Sequence, residues 1–279
     1  FAPRDVRKQE FPCTLEESFL TTRRQAFPIE LLLREETLAR PFFSNIEMYV
    51  ARAMDRDKGW PAGYEVARDA YGSVEVLDVP RAGVDYVIGV DTEEGKNSDK
   101  TGLAICIREP FVQVARWAGG SIDPSLLGEI VSALGWWYNE ALVNVESNGS
   151  GIACIGWMRR ACGYRRLFRM KRYDQATMTL GYQYGWRTGP DTKPIMVGEV
   201  QRLLREGRLH VRFPETFRQL KRYQKLPSGR MEAPSGDWDD DVSAICLAAV
   251  ARSPEDFRGE AEEAPTREIN PDTLSLDYM

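Results

Sequence analysis

The central part of the chain alternates between short apolar runs and stretches with helical periodicity. Three apolar runs joined by short loops predict an antiparallel meander over residues 84–90, 101–107 and 111–118. Further strands are predicted over residues 141–146, 167–170 and 208–212, and helices over residues 124–140, 148–162, 192–206 and 241–252. Residues 219–233 predict a hairpin that turns at residues 227–229. Three strands followed by an αβαβ order predict an α/β fold, in which parallel strands extend the meander into a mixed sheet flanked by helices.

The segments on either side of this region have a different character. Thr14 and Glu17 have the spacing of a capping box, and a second short helix is predicted to begin at residues 31–33. An irregular stretch containing Pro and Gly then extends through residues 60–63. Residues 253–279 carry eight acids and two basic residues, which is typical of a flexible acidic tail. We therefore divide the chain into an N-terminal segment with a linker (1–80), one domain (81–252) and a tail (253–279).

Composition narrows the class of protein. The 279 residues carry a net charge of −5, and 43% of them are hydrophobic, which is enough to bury a core. No apolar run approaches the roughly 20 residues of a membrane helix, and the N-terminus lacks the apolar core of a signal peptide. The chain starts with Phe1, so we expect a fragment or a processed chain. Five cysteines without a Cys-x-x-Cys pair favour reduced thiols in a cytosolic protein.

His210 is the single histidine of the sequence. A metal site with several histidine ligands is therefore excluded, and any Ser-His-Asp triad would have to use this residue. It lies between Leu209 and Val211 in a strand-like run, so we expect a structural or surface histidine rather than a catalytic base.

Charge is strongly segregated within the domain. Residues 159–230 contain eighteen Lys or Arg residues and five acids, a net charge of +13 in a chain of −5. Aromatic residues are interspersed among them. Such a segment suits a polyanion, whose binding releases counterions, although a solvated Arg-rich surface has the same composition. The residues that we expect to contact DNA are Arg159, Arg160, Lys171, Arg172, Arg187 and Lys193.

Acidic residues stand at the ends of three predicted elements. Asp91 ends the first strand, Glu146 ends the fourth strand, and Asp239, Asp240 and Asp241 open the last helix. A carboxylate at the end of an apolar strand is costly unless it is paired or bound to a cation, and these acids can converge at one edge of a sheet. Hard oxygen ligands select Mg²⁺ or Mn²⁺, and two such ions support phosphodiester cleavage. Taken singly, each acid also fits a helix cap or a solvated group.

We expect the three consecutive acids to differ in importance. Asp239 precedes the helix and can reach the edge of the sheet, so it is predicted to matter most. Asp241 is predicted to face solvent and to matter least, with Asp240 between them. Asp99 and Asp237 are the next candidates for a ligand.

Residues 89–97 approximate a phosphate-binding loop but depart from it in three ways. Five rather than four residues separate the two glycines, and Asn97 stands where Ser or Thr is needed. Glu93 and Glu94 would also repel phosphate. We therefore expect no ATP binding at this loop.

Several short motifs, taken in order, resemble the nuclease domain of the large terminase subunits of tailed phages. They are Val-Asp-Thr at 90–92 with Thr-Gly at 101–102, Val-Glu-Ser-Asn at 145–148 with a glycine at 151, and Trp-Asp-Asp at 238–240 with Val-Ser-Ala at 242–244. Residues 185–194 are similar to a stretch between the second and the last acid of the family, and residues 10–19 resemble the segment that closes its ATPase domain. The resemblance covers residues 9–252. Trp238 stands where the family often has His, and Ser243 where it often has Asp.

This resemblance implies a ribonuclease-H-like fold and a DNA-packaging motor that cuts concatemeric viral genomes with two divalent metal ions, Mg²⁺ or Mn²⁺. It implies that Asp91, Glu146 and Asp239 are catalytic and that they bind the metals together with Asp240. The implied partners are double-stranded DNA, the portal protein and the small terminase subunit. The implied location is the host cytoplasm at the procapsid, with the tail docking on the portal. Because the phosphate-loop half of the motor is absent from this sequence, we expect no ATP hydrolysis by this chain alone.

Three other interpretations stay open. A DNA-binding or docking module of a packaging motor would keep the basic segment, with the acids in structural roles. A junction-resolvase or transposase type of nuclease would share the fold, and residues 10–19 favour a terminase over it. A sugar-kinase-like phosphotransferase would also use a strand-end Asp followed by Thr and Gly, but it leaves the +13 segment unexplained.

Overall fold

The structure is a computed structural model that describes residues 25–92, 100–174, 178–257 and 259–261. The predicted capping box at Thr14 and Glu17, Asp99 and residues 262–279 lie outside the described residues. The side chain of Arg172, one of the expected DNA contacts, also lies outside them.

An eight-stranded mixed sheet forms the centre of the described structure. Its strands are β1 (Glu47–Ala53), β2 (Tyr64–Arg68), β3 (Val74–Val76), β4 (Tyr86–Asp91), β5 (Thr101–Ile107), β6 (Phe111–Gly119), β7 (Leu142–Val145) and β10 (Leu209–His210). The strand order is β2-β1-β3-β6-β5-β4-β7, with β10 pairing parallel to β6. The predicted meander of β4, β5 and β6 is confirmed, and so is its parallel extension, because β7 pairs parallel with β4.

Helices cover both faces of this sheet. They are α1 (Ile29–Ala39), α2 (Pro124–Trp137), α3 (Ser150–Trp157), α4 (Lys193–Arg205), α5 (Pro214–Arg222) and α6 (Asp240–Arg252). Asp123 caps α2 as predicted, since its side chain accepts hydrogen bonds from the backbone N–H groups of Ser125 and Leu126. The predicted helix over 148–162 is interrupted, because α3 ends at Trp157 and a π-helical turn covers Met158–Cys162.

The central strand β4 separates two apolar layers. Val87 faces the layer formed by α6, which contains Ile245 and Leu247. Ile88 faces the opposite layer, in which α2 contributes Val131. Because both faces are covered, β4 is a continuous apolar run rather than an alternating one.

Two predicted elements differ in extent from the observed ones, and an observed strand that pairs with one of them was not predicted. The predicted hairpin over residues 219–233 begins too early, because α5 extends to Arg222 and only β11 (Gln224–Lys225) pairs with β12 (Met231–Glu232). The predicted strand over 167–170 is the longer β8 (Phe168–Asp174), which pairs with β9 (Thr179–Tyr184). The sequence analysis missed β9, although Leu180, Tyr182 and Tyr184 alternate along it; the strand is largely exposed.

The predicted irregular stretch, which extends through residues 60–63, is wrong for residues 47–53, where β1 forms, and the sequence analysis missed β2 and β3 after it. Strands β1, β2 and β3 form there and extend the sheet from the edge of β6. Tyr49 and Tyr64 from this extension pack on α2, and the ring of Tyr64 lies 4.8 Å from that of Trp136. The pairing partner β6 lies far along the chain, so the local pattern does not reveal these strands.

The start of the predicted acidic tail packs on the domain. Pro254–Phe257 form a 3-10 turn, and β13 (Gly259–Ala261) pairs antiparallel with β8. The ring of Phe257 lies 6.2 Å from that of Trp186. The domain boundaries after residues 80 and 252 stay a prediction. In the described ranges, no helix has both the length and the apolar character that crossing a membrane requires.

Candidate active site

Asp91 and Glu146 follow two neighbouring parallel strands. Val90 of β4 lies opposite Val145 of β7, and the backbone N–H of Glu146 donates to the carbonyl oxygen of Val90 at 2.9 Å. The carboxyl ends of both strands therefore meet at one edge of the sheet, where the Asp91 and Glu146 carboxyl groups form a hydrogen bond. Asn148 steadies Glu146, because its Nδ2 lies 3.4 Å from Glu146 Oε1 and donates to the carbonyl oxygen of Thr188 at 2.9 Å.

The start of α6 brings Asp239 and Asp240 to the same edge. Gly102 on β5 permits this approach, because a Cβ atom there would lie 2.6 Å from the carbonyl oxygen of Asp240. Further along the helix, a Cβ atom at Gly89 would lie 2.0 Å from the carbonyl oxygen of Ala244. Two positions without side chains thus let α6 lie directly on β4 and β5, with its first residues beside the strand ends.

An open cleft of about 1040 Å³ lies at this edge. Among the residues that line it are Asp91, Glu146, Asp239, Asp240, Trp238 and Ser243. Lys193, the first residue of α4, places its Nζ 3.8 Å from Asp239 Oδ2. Lys100 places its Nζ 3.4 Å from the centre of the Trp238 ring, and its backbone N–H donates to the Asp240 carboxylate. The four acids that the sequence analysis selected as metal ligands therefore share one cleft, together with two lysines.

Burial and mutual repulsion raise the pKa values of two acids in the cleft. Burial raises the pKa of Asp91 well above its ordinary value, and the neighbouring Glu146, Asp239 and Asp240 raise it further. Burial, with the charges of Asp239 and Asp241, raises the pKa of Asp240 to about 7. A cluster of this kind holds protons unless positive charge compensates it.

The donor set fits a hard divalent cation. The ligand atoms are carboxylate oxygens, which Mg²⁺ and Mn²⁺ prefer. Asp240 Oδ2 is buried and accepts no hydrogen bond within the described part of the chain, so this oxygen has an open coordination position. No three acidic, His or Cys side chains of the described residues are arranged to hold an ion as they stand, so these side chains would have to rotate slightly toward a common centre.

The prediction that Asp241 faces solvent is wrong. Only 1% of Asp241 is exposed, and its carboxylate accepts a hydrogen bond from Arg116 Nε at 3.1 Å and from Thr216 Oγ1 at 3.3 Å. Its backbone N–H donates to Gln219 Oε1 at 2.9 Å. Arg116 lies on β6 and pairs on its other side with Glu75. The sequence analysis missed Arg116, which stands in an apolar strand. A single arginine in such a strand indicates a buried acidic partner, so the sequence did contain a signal for this residue.

Two other titratable residues have partners of their own. Asp237 lines the cleft, but its carboxylate is paired with Arg218 at 3.3 Å and with Arg222. His210 lies outside the lining of the cleft, with its Nδ1 3.1 Å from Glu35 Oε2 on α1. This contact is consistent with the predicted structural role of the histidine.

Acids elsewhere in the fold neutralise much of the basic segment. Arg208 pairs with Glu109, Arg212 with Asp78, and Lys221 with Glu36. The further arginines of the segment that form ion pairs are Arg166, Arg202, Arg218, Arg222 and Arg230. Part of the positive charge of residues 159–230 is therefore compensated within the fold.

The expected DNA contacts lie mainly near α3 and the β8–β9 hairpin. Arg160, Lys171 and Arg187 are exposed. The guanidinium of Arg159 lies 3.9 Å from the centre of the Tyr184 ring, and Lys193 lies in the cleft.

Comparison with known proteins shows the fold. The large terminase nuclease of thermophilic phage G20c with bound magnesium is similar to this chain with a TM-score of 0.51 and 19% identity, over 65% of this chain and 88% of that chain. The nuclease domain of the large terminase of Thermus phage P74-26 is similar with a TM-score of 0.49 and 18% identity, over 64% and 86%. The human cytomegalovirus terminase nuclease domain, soaked with Mn and with inhibitor bound, gives a TM-score of 0.41 and 13% identity, over 62% and 86%. No family model and no curated protein matches the sequence.

The likeness to the phage G20c nuclease confirms the predicted fold. The mixed sheet with its antiparallel meander, its parallel extension and its flanking helices is the ribonuclease-H-like fold of large terminase nucleases. At this level of identity the likeness concerns the fold, and the roles of individual residues rest on the geometry of the cleft.

Proposed function

We propose that this chain is a metal-dependent endonuclease of the large terminase type, which cuts double-stranded viral DNA concatemers during genome packaging. The observation that supports the proposal most strongly is the meeting of four acids from two strand ends and one helix start in a single open cleft. The similar phage G20c nuclease has the same fold and was solved with bound magnesium.

Asp91, Glu146, Asp239 and Asp240 are the residues that would hold two divalent cations, Mg²⁺ or Mn²⁺. When bound, such cations stabilise the charge that develops on the attacking and leaving oxygens of a phosphodiester. Burial and the neighbouring Glu146 raise the pKa of Asp91, so Asp91 has to release a proton before it can act as a ligand. Asn148 holds Glu146 in place, and Asp240 supplies an oxygen without a hydrogen-bond partner among the described residues.

The basic residues that the sequence analysis selected would bind the DNA backbone. Arg160, Lys171 and Arg187 are exposed and can contact phosphates, which position the duplex without reading its sequence. Arg159 and Arg172 belong to the same proposed set. Lys193 differs from them, because its ammonium group lies beside Asp239. Its positive charge would face a scissile phosphate in the cleft.

The setting of this activity is proposed by analogy with terminases. The partners would be the portal protein and the small terminase subunit, and cleavage would occur in the host cytoplasm at the procapsid. A second candidate function is a DNA-binding module of the motor without cleavage activity. The exposed basic residues Arg160, Lys171 and Arg187 fit this second candidate as well, because phosphate contacts need no cleavage activity.

Cleavage of supercoiled plasmid by the purified chain separates the two candidates. We expect nicked and linear products with Mg²⁺ or Mn²⁺, and none with EDTA. Asp91→Asn should lower the cleavage rate by at least about 100-fold while DNA binding, measured by gel shift, stays within about threefold. The control Asp191→Asn removes an exposed acid outside the cluster and should leave both unchanged. Absence of metal-dependent cleavage by the wild type would leave only the binding module, and equal cleavage by the wild type and Asp91→Asn would overturn the proposed site.

A further inference from the structure

One arginine lies in the otherwise apolar middle of β6. Arg116 is only 5% exposed, and its neighbours Ala115 and Trp117 are buried apolar residues. Its guanidinium donates from Nε to Asp241 Oδ2 at 3.1 Å and from Nη2 to Asp241 Oδ1 at 3.2 Å. This arrangement is the two-pronged pairing of a planar guanidinium with a carboxylate, which fixes orientation as well as charge.

The partner of this arginine is the second residue of α6, directly after two proposed metal ligands. Asp241 is also held by the hydroxyl of Thr216 and, through its backbone N–H, by Gln219 of α5. Glu75 of β3 holds Arg116 from the opposite side. The first turn of α6 is therefore tied to β6, β3 and α5 at one residue.

The helix geometry determines what this attachment does. Successive residues of an α-helix point about 100° apart, so fixing Asp241 toward β6 also fixes the direction of Asp240. Asp239 has no side-chain capping hydrogen bond to steady the turn, and 30% of its side chain is exposed in the cleft. The rotation of the first turn thus depends on the attachment at Asp241.

We infer that Arg116 and Asp241 are positioning residues, which hold Asp239 and Asp240 in the orientation that binds divalent cations. This inference rests on the proposed function, since it concerns the same cleft. Breaking the two-pronged contact would let the first turn of α6 rotate, and the affinity for the cation would fall even where the protein stays folded.

Arg116→Lys tests this inference, because it keeps the positive charge and removes the planar fork. The matched control is Arg252→Lys at the other end of α6. Arg252 is 7% exposed and pairs with Glu109 at 2.7 Å, so its replacement also weakens a buried arginine contact of the same helix. Both variants should lower the melting temperature.

Mn²⁺ binding, followed by electron paramagnetic resonance without DNA, distinguishes the two variants. Measured well below each melting temperature, the Mn²⁺ dissociation constant should rise at least about tenfold in Arg116→Lys and less than about twofold in Arg252→Lys. The Mn²⁺ concentration that gives half-maximal plasmid cleavage should shift by the same factor, while the DNA dissociation constant stays constant. A Mn²⁺ affinity in folded Arg116→Lys within twofold of the wild type overturns the inference.

A second variant covers the case in which Arg116→Lys does not fold. Thr216→Val preserves shape and charge and removes the hydroxyl that donates to Asp241, and it should raise the Mn²⁺ dissociation constant at least about threefold. An unchanged constant in that variant overturns the inference as well. A wild-type protein that binds no Mn²⁺ and cuts no plasmid overturns the proposed function itself, whereas wild-type binding with unchanged variants overturns only the positioning role.

Discussion

The ammonium group of Lys193 at the start of α4 lies 3.8 Å from the carboxylate of Asp239 at the start of α6. The sequence analysis placed Lys193 among the DNA contacts, yet its partner is a proposed metal ligand. We therefore expect Lys193→Met to lower the plasmid cleavage rate at least about tenfold, with less than a threefold change in DNA affinity. Arg205→Met at the exposed other end of the same helix is the control. A parallel loss of affinity and rate in Lys193→Met would make this residue an ordinary phosphate contact.

The sequence analysis predicted those elements whose apolar pattern or cap is visible within the element itself. The strands that end at Asp91 and directly before Glu146 are apolar runs because both faces of the sheet are covered, so the sequence pattern shows where they end. The N-cap of α2 at Asp123 was also predicted from the local sequence. The strand-end acids and the acids at the start of α6 were expected at one edge of the sheet, and they line one cleft.

The rest depended on contacts between distant parts of the chain. Strands β1 to β3 form because β6 offers them an edge, and nothing in residues 47–76 indicates that partner. Asp241 is buried because an arginine 125 positions earlier faces it, whereas helical periodicity alone placed it in solvent. Arg208, Arg212 and Lys221 likewise pair with acids far away in the sequence, and a charge count cannot anticipate such pairs.

DNA binding should depend on the exposed part of the basic segment. The double charge reversal Arg160→Glu and Lys171→Glu should weaken binding to all DNA sequences alike and reduce the slope of log affinity against log salt concentration. The control is Arg34→Glu on α1 with Arg40→Glu directly after α1, which changes the net charge equally at exposed residues outside the segment. Gel shifts between about 50 and 200 mM salt measure the slope. Equal weakening by both double variants would show that only net charge matters.

Replacing two glycines by alanine should change the stability in opposite directions, because one glycine lies at the close contact between β5 and α6 and the other has open space around it. Gly102→Ala would place a Cβ atom 2.6 Å from the carbonyl oxygen of Asp240, and overpacking of this kind costs about 1–3 kcal/mol. Gly198 in α4 has no atom within 4 Å of the corresponding position, so Gly198→Ala should stabilise the protein by up to about 1 kcal/mol. Urea denaturation measures both changes. A stable Gly102→Ala variant would show that α6 does not pack so closely on β5.

Protonation of the cleft predicts how stability varies with pH. The pKa of Asp240 is raised to about 7, whereas an aspartate in the unfolded chain titrates near 4. Between these values the folded state binds more protons than the unfolded state, so the free energy of unfolding falls as pH rises. The effect of Asp240 is complete above about pH 7 and amounts to up to roughly 4 kcal/mol. The raised pKa of Asp91 acts in the same direction.

The metal-free protein should therefore lose stability between about pH 4 and pH 7, and a divalent cation should restore it most strongly at the upper end, where the acids are ionised. We expect Mg²⁺ or Mn²⁺ to raise the melting temperature clearly at pH 8 and hardly at pH 5.

Asp240→Asn removes one titrating group, so it should flatten the pH dependence of the metal-free protein and reduce the stabilisation by the cation at pH 8. Asp57→Asn, at an exposed acid outside the cleft lining, should leave both unchanged. Melting curves recorded with EDTA and with each cation over this pH range provide the measurement. A cation effect that is equal at pH 5 and pH 8 would mean that the ion binds elsewhere, because a carboxylate has to lose its proton before it can coordinate a metal.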